Sequence, residues 1–149
     1  MVLHCGLVAE QINIKNMEQR YIAGDWVRYI GVASPRVVQI TEEREDNLVI
    51  DFGKCNWYFA THGEVEPIPL TIELLEKNGF KQEQHQKDSN SEWVDFYHYD
   101  LGINIVYEVA KKGIPFAVYL DGKKLREIKH VHELQHVFWA LGLNAELKV

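Results

Sequence analysis

The chain has 149 residues, of which 46% are hydrophobic, 26% charged and 11% aromatic, and its formal net charge is −6. That length suits one domain or two very small ones, and the apolar content is enough for a real core, which excludes wholesale disorder. No apolar run approaches the roughly 20 residues that cross a bilayer. Residues 1–70 carry six basic and ten acidic groups and residues 71–149 ten and twelve, so the basic face of a nucleic-acid binder is missing.

Residues Met1 to Asn13 have no basic n-region and carry Glu10 inside an apolar stretch, so they do not read as a signal peptide. Cys5 and Cys55, fifty residues apart, do not make a disulfide framework; reduced thiols and a cytoplasmic location are expected.

From Asp25 to Phe59 the sequence reads as short strands broken by polar turns: Trp26 to Ile30, Arg36 to Ile40, Asn47 to Phe52 and Trp57 to Phe59. Runs rich in β-branched and aromatic residues, with turns about every ten residues, predict a small antiparallel barrel or curled sheet, with an SH3-like β-barrel as the natural candidate. Pro67-Ile68-Pro69 then forces an extended segment and reads as a stiff linker. Thr71 is a good N-cap for a short helix that Asn78-Gly79-Phe80 ends, with Gly79 left-handed and Phe80 folding back on Leu75. Lys81 to Glu92 is polar throughout and reads as a mobile loop.

A four-stranded antiparallel meander follows, at Trp93 to Tyr99, Ile103 to Val109, Pro115 to Leu120 and Lys123 to Ile128. Asp121-Gly122 between the last two is a strong hairpin signal, because a type I′ turn needs φ > 0 at both positions. The lysine pairs Lys111-Lys112 and Lys123-Lys124 fall at opposite ends of the third strand and are not expected to form one patch. A terminal helix, Lys129 to Leu141, closes the unit with a stripe of Val131, Leu134, Val137, Phe138 and Leu141, and Gly142 stops it. The expected fold is α+β, with an SH3-like unit over 1–66 and an α+β unit over 67–149.

One motif suggests chemistry. His132-Glu133-Leu134-Gln135-His136 matches the H-E-x-x-H pattern of zinc hydrolases, in which two His four apart bind the metal and the Glu is general base. A catalytic zinc needs a third protein ligand. Trp139 and Gly142 stand where the longer metzincin pattern needs Gly and His, and Glu146 lies too close to fold back. That leaves His4, Cys5, Cys55, His62, His85, His98 or His130, with no spacing that prefers one. Helix phase sets His132, His136 and Trp139 opposite the apolar stripe, and a face holding so large an aromatic is expected to be covered, by the N-terminal unit or by a second copy.

Three stretches, Ile22 to Val27, Pro67 to Phe80 and Val131 to Leu141, together resemble an uncharacterised family from phage and mobile-element gene clusters of bacteria. The resemblance implies no assigned activity, and its pattern commonly has Asn where this chain has His136, so a second zinc ligand is not required. Residues 1–16 lie outside it, which makes Met17 an alternative start.

The reading that follows is a non-enzymatic accessory or adaptor module with a protein partner or self-association. It has no membrane or nucleic-acid partner, no cofactor, and no catalytic, cofactor-binding or metal-binding residue. A zinc-dependent hydrolase using His132, Glu133 and His136 is the alternative. Nucleic-acid binding through Trp26, Tyr29, Trp57 and Tyr58 is the third, and those aromatics read better as core.

Overall fold

The computed structural model describes residues 21–149; the expectations that fell on His4, Cys5 and Met17 lie outside them. The described residues form two antiparallel five-stranded sheets and two short helices, an α+β arrangement. Residues 21–67 belong to one compact unit and Ile68–Val149 form another.

In the first unit β1 (Trp26–Tyr29), β2 (Arg36–Glu43), β3 (Leu48–Asp51), β4 (Trp57–Ala60) and β5 (Val65–Pro67) take the order β4-β3-β2-β1-β5. Alternation drives the packing. Val27, Tyr29, Val38, Ile40, Leu48, Ile50, Ala60 and Val65 are buried in one cluster, while the register Trp26↔Gln39↔Asp51↔Trp57 runs along the other face. The stretch Ile22 to Asp25 is the turn that starts β1. The buried Asp25 carboxylate accepts the Ile22 N–H at 2.8 Å, and Gly24 sits at φ +96°.

The expected barrel does not close. β4 and β5 are the two ends of the sheet and do not pair with each other. The bulge between Ile40 and Glu42 bends β2. Closure would also need β5 as a partner, and β5 is three residues long and ends in Pro67, which has no N–H to donate.

In the second unit the expected linker is held on both sides of Pro69. Pro67 pairs with Val27 in the first sheet, while Val131 N–H donates to Ile68 O at 2.9 Å and Leu70 N–H to Lys129 O at 2.9 Å. Helix α1 (Ile72–Lys77) starts as expected, with Thr71 Oγ1 accepting Leu74 N–H at 3.2 Å. It ends in a Schellman closure: Phe80 N–H donates to Leu75 O at 3.0 Å, Gly79 has φ +88°, and Leu75 and Phe80 are both buried.

The sheet that follows, β6 (Lys81–Lys87), β7 (Glu92–His98), β8 (Ile103–Glu108), β9 (Phe116–Leu120) and β10 (Lys123–Ile128), is a meander of five strands rather than four. The added strand is the segment read as a loop. β6 is exposed at every position, so it has no apolar period to detect, and it pairs with β7 through its backbone ladder, with His85 reaching Glu92 as a side-chain contact. Asp88 closes that hairpin, its carboxylate accepting from the N–H groups of Asn90 and Ser91 at 2.9 and 2.8 Å. Asp121 and Gly122 have φ +50° and +77°, as the expected turn requires.

On one face of this sheet Phe96, Ile105 and Val118 stand opposite one another and are buried. Helix α2 (Val131–Ala140) buries Val131, Leu134, Val137 and Phe138. The tail after it returns to the helices: Leu70, Leu75, Val131, Leu134 and Leu147 surround a void of only ≈ 10 Å³, too small for more than one water. Asn78 fixes the tail, donating to Lys148 O at 2.8 Å and accepting Lys148 N–H at 2.6 Å.

Candidate functional site

The H-E-x-x-H residues lie at the start of α2, and their position decides their chemistry. Glu133 is the third residue of the helix, where a carboxylate can reach back to the open N–H groups of the first turn. Its Oε1 accepts from His130 N–H at 3.1 Å and Lys129 N–H at 3.3 Å and lies 3.0 Å from His130 Nδ1, while Oε2 accepts from Arg126 at 3.1 Å. Burial alone would raise its pKa. The His130 hydrogen bond, the Lys129 N–H and the Arg126 charge outweigh that, and the carboxyl titrates below its ordinary value. Both oxygens of the residue that the zinc-hydrolase alternative would use as general base are therefore engaged, Oε1 at the helix start and Oε2 by Arg126.

His132 is only 2% exposed, where helix phase had set it away from the apolar stripe. Gln135 is buried as well, so α2 is covered over much more than its stripe. His130 stacks on His132 with ring centroids 5.6 Å apart, His136 meets His132 edge-on at 5.5 Å, and Trp139 stacks on His136 at 5.6 Å. Trp139 closes this ladder and remains 39% exposed, so its face is covered at the His132 end and open at the Trp139 end.

Among the described residues of the second unit, only His130 of the expected third ligands adjoins the pair, and its Nδ1 turns to Glu133. His85 is taken by Glu92 at 2.9 Å, His98 accepts Leu101 N–H and packs on Phe80, and Cys55 and His62 belong to the other unit. Among the described residues no group of three or more His, Cys, Asp or Glu is placed to hold a metal ion.

Two surfaces lie open that the sequence reading did not expect to be open. The first is an open groove of ≈ 530 Å³ whose lining includes Trp93, Val106 and Tyr119, with Glu92, Glu108 and Lys111 among its polar residues. The register places these side chains on the opposite phase of β7, β8 and β9 from Phe96, Ile105 and Val118. Apolar residues in the polar phase of a strand were the available signal. Beside the groove Lys111 and Lys124 both bind Glu127, the latter at 2.7 Å, so lysines expected to stay apart meet over one carboxylate. β9 is only five residues long, and two long side chains span it. Hydrogen bonds from Lys111 and Lys124 hold the Glu127 carboxyl down at about 2.

The second surface is β4, where Trp57, Tyr58 and Phe59 are 61%, 44% and 56% exposed. Of the four aromatics read as core, Tyr29 is buried, its ring centroid 5.6 Å from that of Tyr58, but Trp57 and Tyr58 lie largely open because β4 is an edge strand. Arg44 lies 5.1 Å over the Phe59 ring and is held there by Glu42 at 3.0 Å. No helix among the described residues is long and apolar enough to cross a membrane. No family model matches this chain, and no curated protein or solved structure matches it.

Proposed function

We propose that this chain is a non-enzymatic adaptor module of a phage or mobile element, acting in the cytoplasm, and that it binds a protein partner through the groove on the second unit. The observation that carries the reading is that groove: an apolar floor of Trp93, Val106 and Tyr119 left open on a sheet whose other face is buried. Glu108 is exposed at the rim, whereas Lys111 is engaged by Glu127. An extended apolar segment with a basic residue beside it complements that pattern. The engagement of Glu133 in the helix cap argues against the zinc-hydrolase alternative. The phage or mobile-element setting rests on the three stretches of sequence resemblance, and the cytoplasmic one on the exposed, unbridged thiol of Cys55.

For the first unit, the strand order β4-β3-β2-β1-β5 with a 3₁₀ turn at His62–Glu64 before β5 supports an SH3-like assignment as an open barrel. Nucleic-acid binding has one supporting contact, Arg44 over Phe59, but Arg44 is paired with Glu42, Arg28 with Glu66, and a net charge of −6 opposes phosphate.

A photo-crosslinking amino acid in place of Glu108 tests the groove in host cells. The same partner peptides should be captured repeatedly, and Tyr119→Arg, which sets a charge in the apolar floor, should abolish their capture. Capture that Tyr119→Arg leaves unchanged refutes the reading.

A further inference from the structure

Natural sheets guard their edges with charge, proline or bulges, because an open edge pairs with any other strand. Among the described residues, three of the four sheet edges are guarded. β6 carries Lys81 and Lys87 and a bulge between Gln82 and Gln84; β10 carries Lys123, Lys124 and Arg126; β5 ends in Pro67. β4 is Trp57-Tyr58-Phe59-Ala60, with no charge and no proline.

Its hydrogen-bonding phase can be read from the turn that precedes it. Phe52 N–H donates to Asn56 O at 2.9 Å, so Asn56 is in a hydrogen-bonded pair with β3. Such pairs alternate along an antiparallel ladder. Tyr58, opposite Ile50, is therefore the next residue whose polar backbone faces β3. Trp57 and Phe59 direct their N–H and C=O groups to the open edge.

We infer that β4 pairs antiparallel with β4 of a second copy of this chain, about a two-fold axis that passes through Tyr58. In that register Tyr58 stands opposite Tyr58 of the second copy and Trp57 opposite Phe59. Each Trp57–Phe59 pair exchanges two backbone hydrogen bonds, and their rings meet on the outer face as an aromatic cross-strand pair. The segment is self-complementary in both backbone and side chain, which a two-fold interface requires.

Taking roughly 150–250 Å² per aromatic side chain, the exposed parts of the three rings offer about 700 Å² over two copies. Standing dimers bury more than about 1,000 Å², so this pair forms reversibly as concentration rises. It is independent of the groove on the second unit.

Sedimentation velocity of the full chain from about 1 μM to about 1 mM should show dimer mass growing in, and Phe59→Lys should weaken the association at least tenfold while the fold is kept, as judged by circular dichroism. In a Cys5→Ser, Cys55→Ser background, Tyr58→Cys should form an intermolecular disulfide on mild oxidation, because residues on the axis in a non-hydrogen-bonded pair have Cα atoms about 4.5 Å apart. Phe59→Cys should not, since it faces Trp57. A chain that stays monomeric throughout, a dimer indifferent to Phe59→Lys, or equal cross-linking at residues 58 and 59 each overturns the proposal.

Discussion

Replacing Glu133 with alanine separates the two roles that this carboxylate could have. As a cap it accepts two backbone N–H groups, at 3.1 and 3.3 Å, and adjoins the His130 ring at 3.0 Å. Loss of a helix cap costs about 1 kcal/mol, and a hydrogen bond to a charged group contributes about 1.5–3 kcal/mol. The ion pair with Arg126 adds little, because that guanidinium is 46% exposed and screened. Glu133→Ala should therefore destabilise the second unit by about 2–3 kcal/mol, or roughly 10 °C or more in a unit of this size. Glu133→Gln, which keeps the shape and loses the charge, should cost about half as much.

The pH dependence follows from the lowered pKa. A carboxyl whose folded pKa is depressed stabilises fully above its unfolded value, about 4.3, and loses that contribution as pH falls through the folded one. The gap between wild type and Glu133→Gln should then be constant at neutral pH and narrow as pH falls from about 4.3 through the lowered folded value. Urea titrations of the wild type and both variants at pH 7 and pH 3.5 measure it. A general base can be removed with little loss of stability, so an unchanged midpoint in Glu133→Ala at pH 7 would sink the capping account.

Two further outcomes are expected. Glu127, held by Lys111 and Lys124, should titrate by carboxyl NMR near 2 and move toward 4.5 in Lys111→Met; its stabilisation is present above about 4.5 and is lost only as pH falls through about 2, so an ordinary midpoint in the wild type would dismiss the shared ion pair. Trp139→Ala should cost about 1–2 kcal/mol by urea titration, below the about 3–5 kcal/mol of a fully buried aromatic, because the ring is 39% exposed and gains its contact by stacking on His136; a loss above about 3 kcal/mol would mean that the face is covered.

The parts of the fold that were legible are those in which a local signal has a single structural answer. Thr71, Gly79 and Phe80 define a helix start and stop by their own chemistry, and the structure has each bond they imply. Asp121-Gly122 likewise permits one turn. β6 was illegible because no side chain of Lys81–Lys87 is buried; the strand exists through its backbone, which every residue but proline shares. The open first sheet was illegible for a related reason. Nothing in Trp57-Tyr58-Phe59 says whether a further strand covers it, since an aromatic edge and an aromatic core strand have the same composition.

The H-E-x-x-H match shows how much can depend on two residues of boundary. A helix beginning at Lys129, as its composition suggests, would make Glu133 a fifth residue, past the open N–H groups and free to act on a ligand held by its neighbours. The backbone instead stays extended through His130, where it bridges Pro69, and the helix begins at Val131. The cause lies sixty residues earlier, in a segment whose prolines leave Ile68 O and Leu70 N–H to be satisfied by this strand end. That pairing moves Glu133 to the third position, where the first-turn N–H groups attract a carboxylate most strongly. Helix ends are the least certain part of any sequence reading. For a motif lying in the first turn, that uncertainty separates a candidate base from a cap.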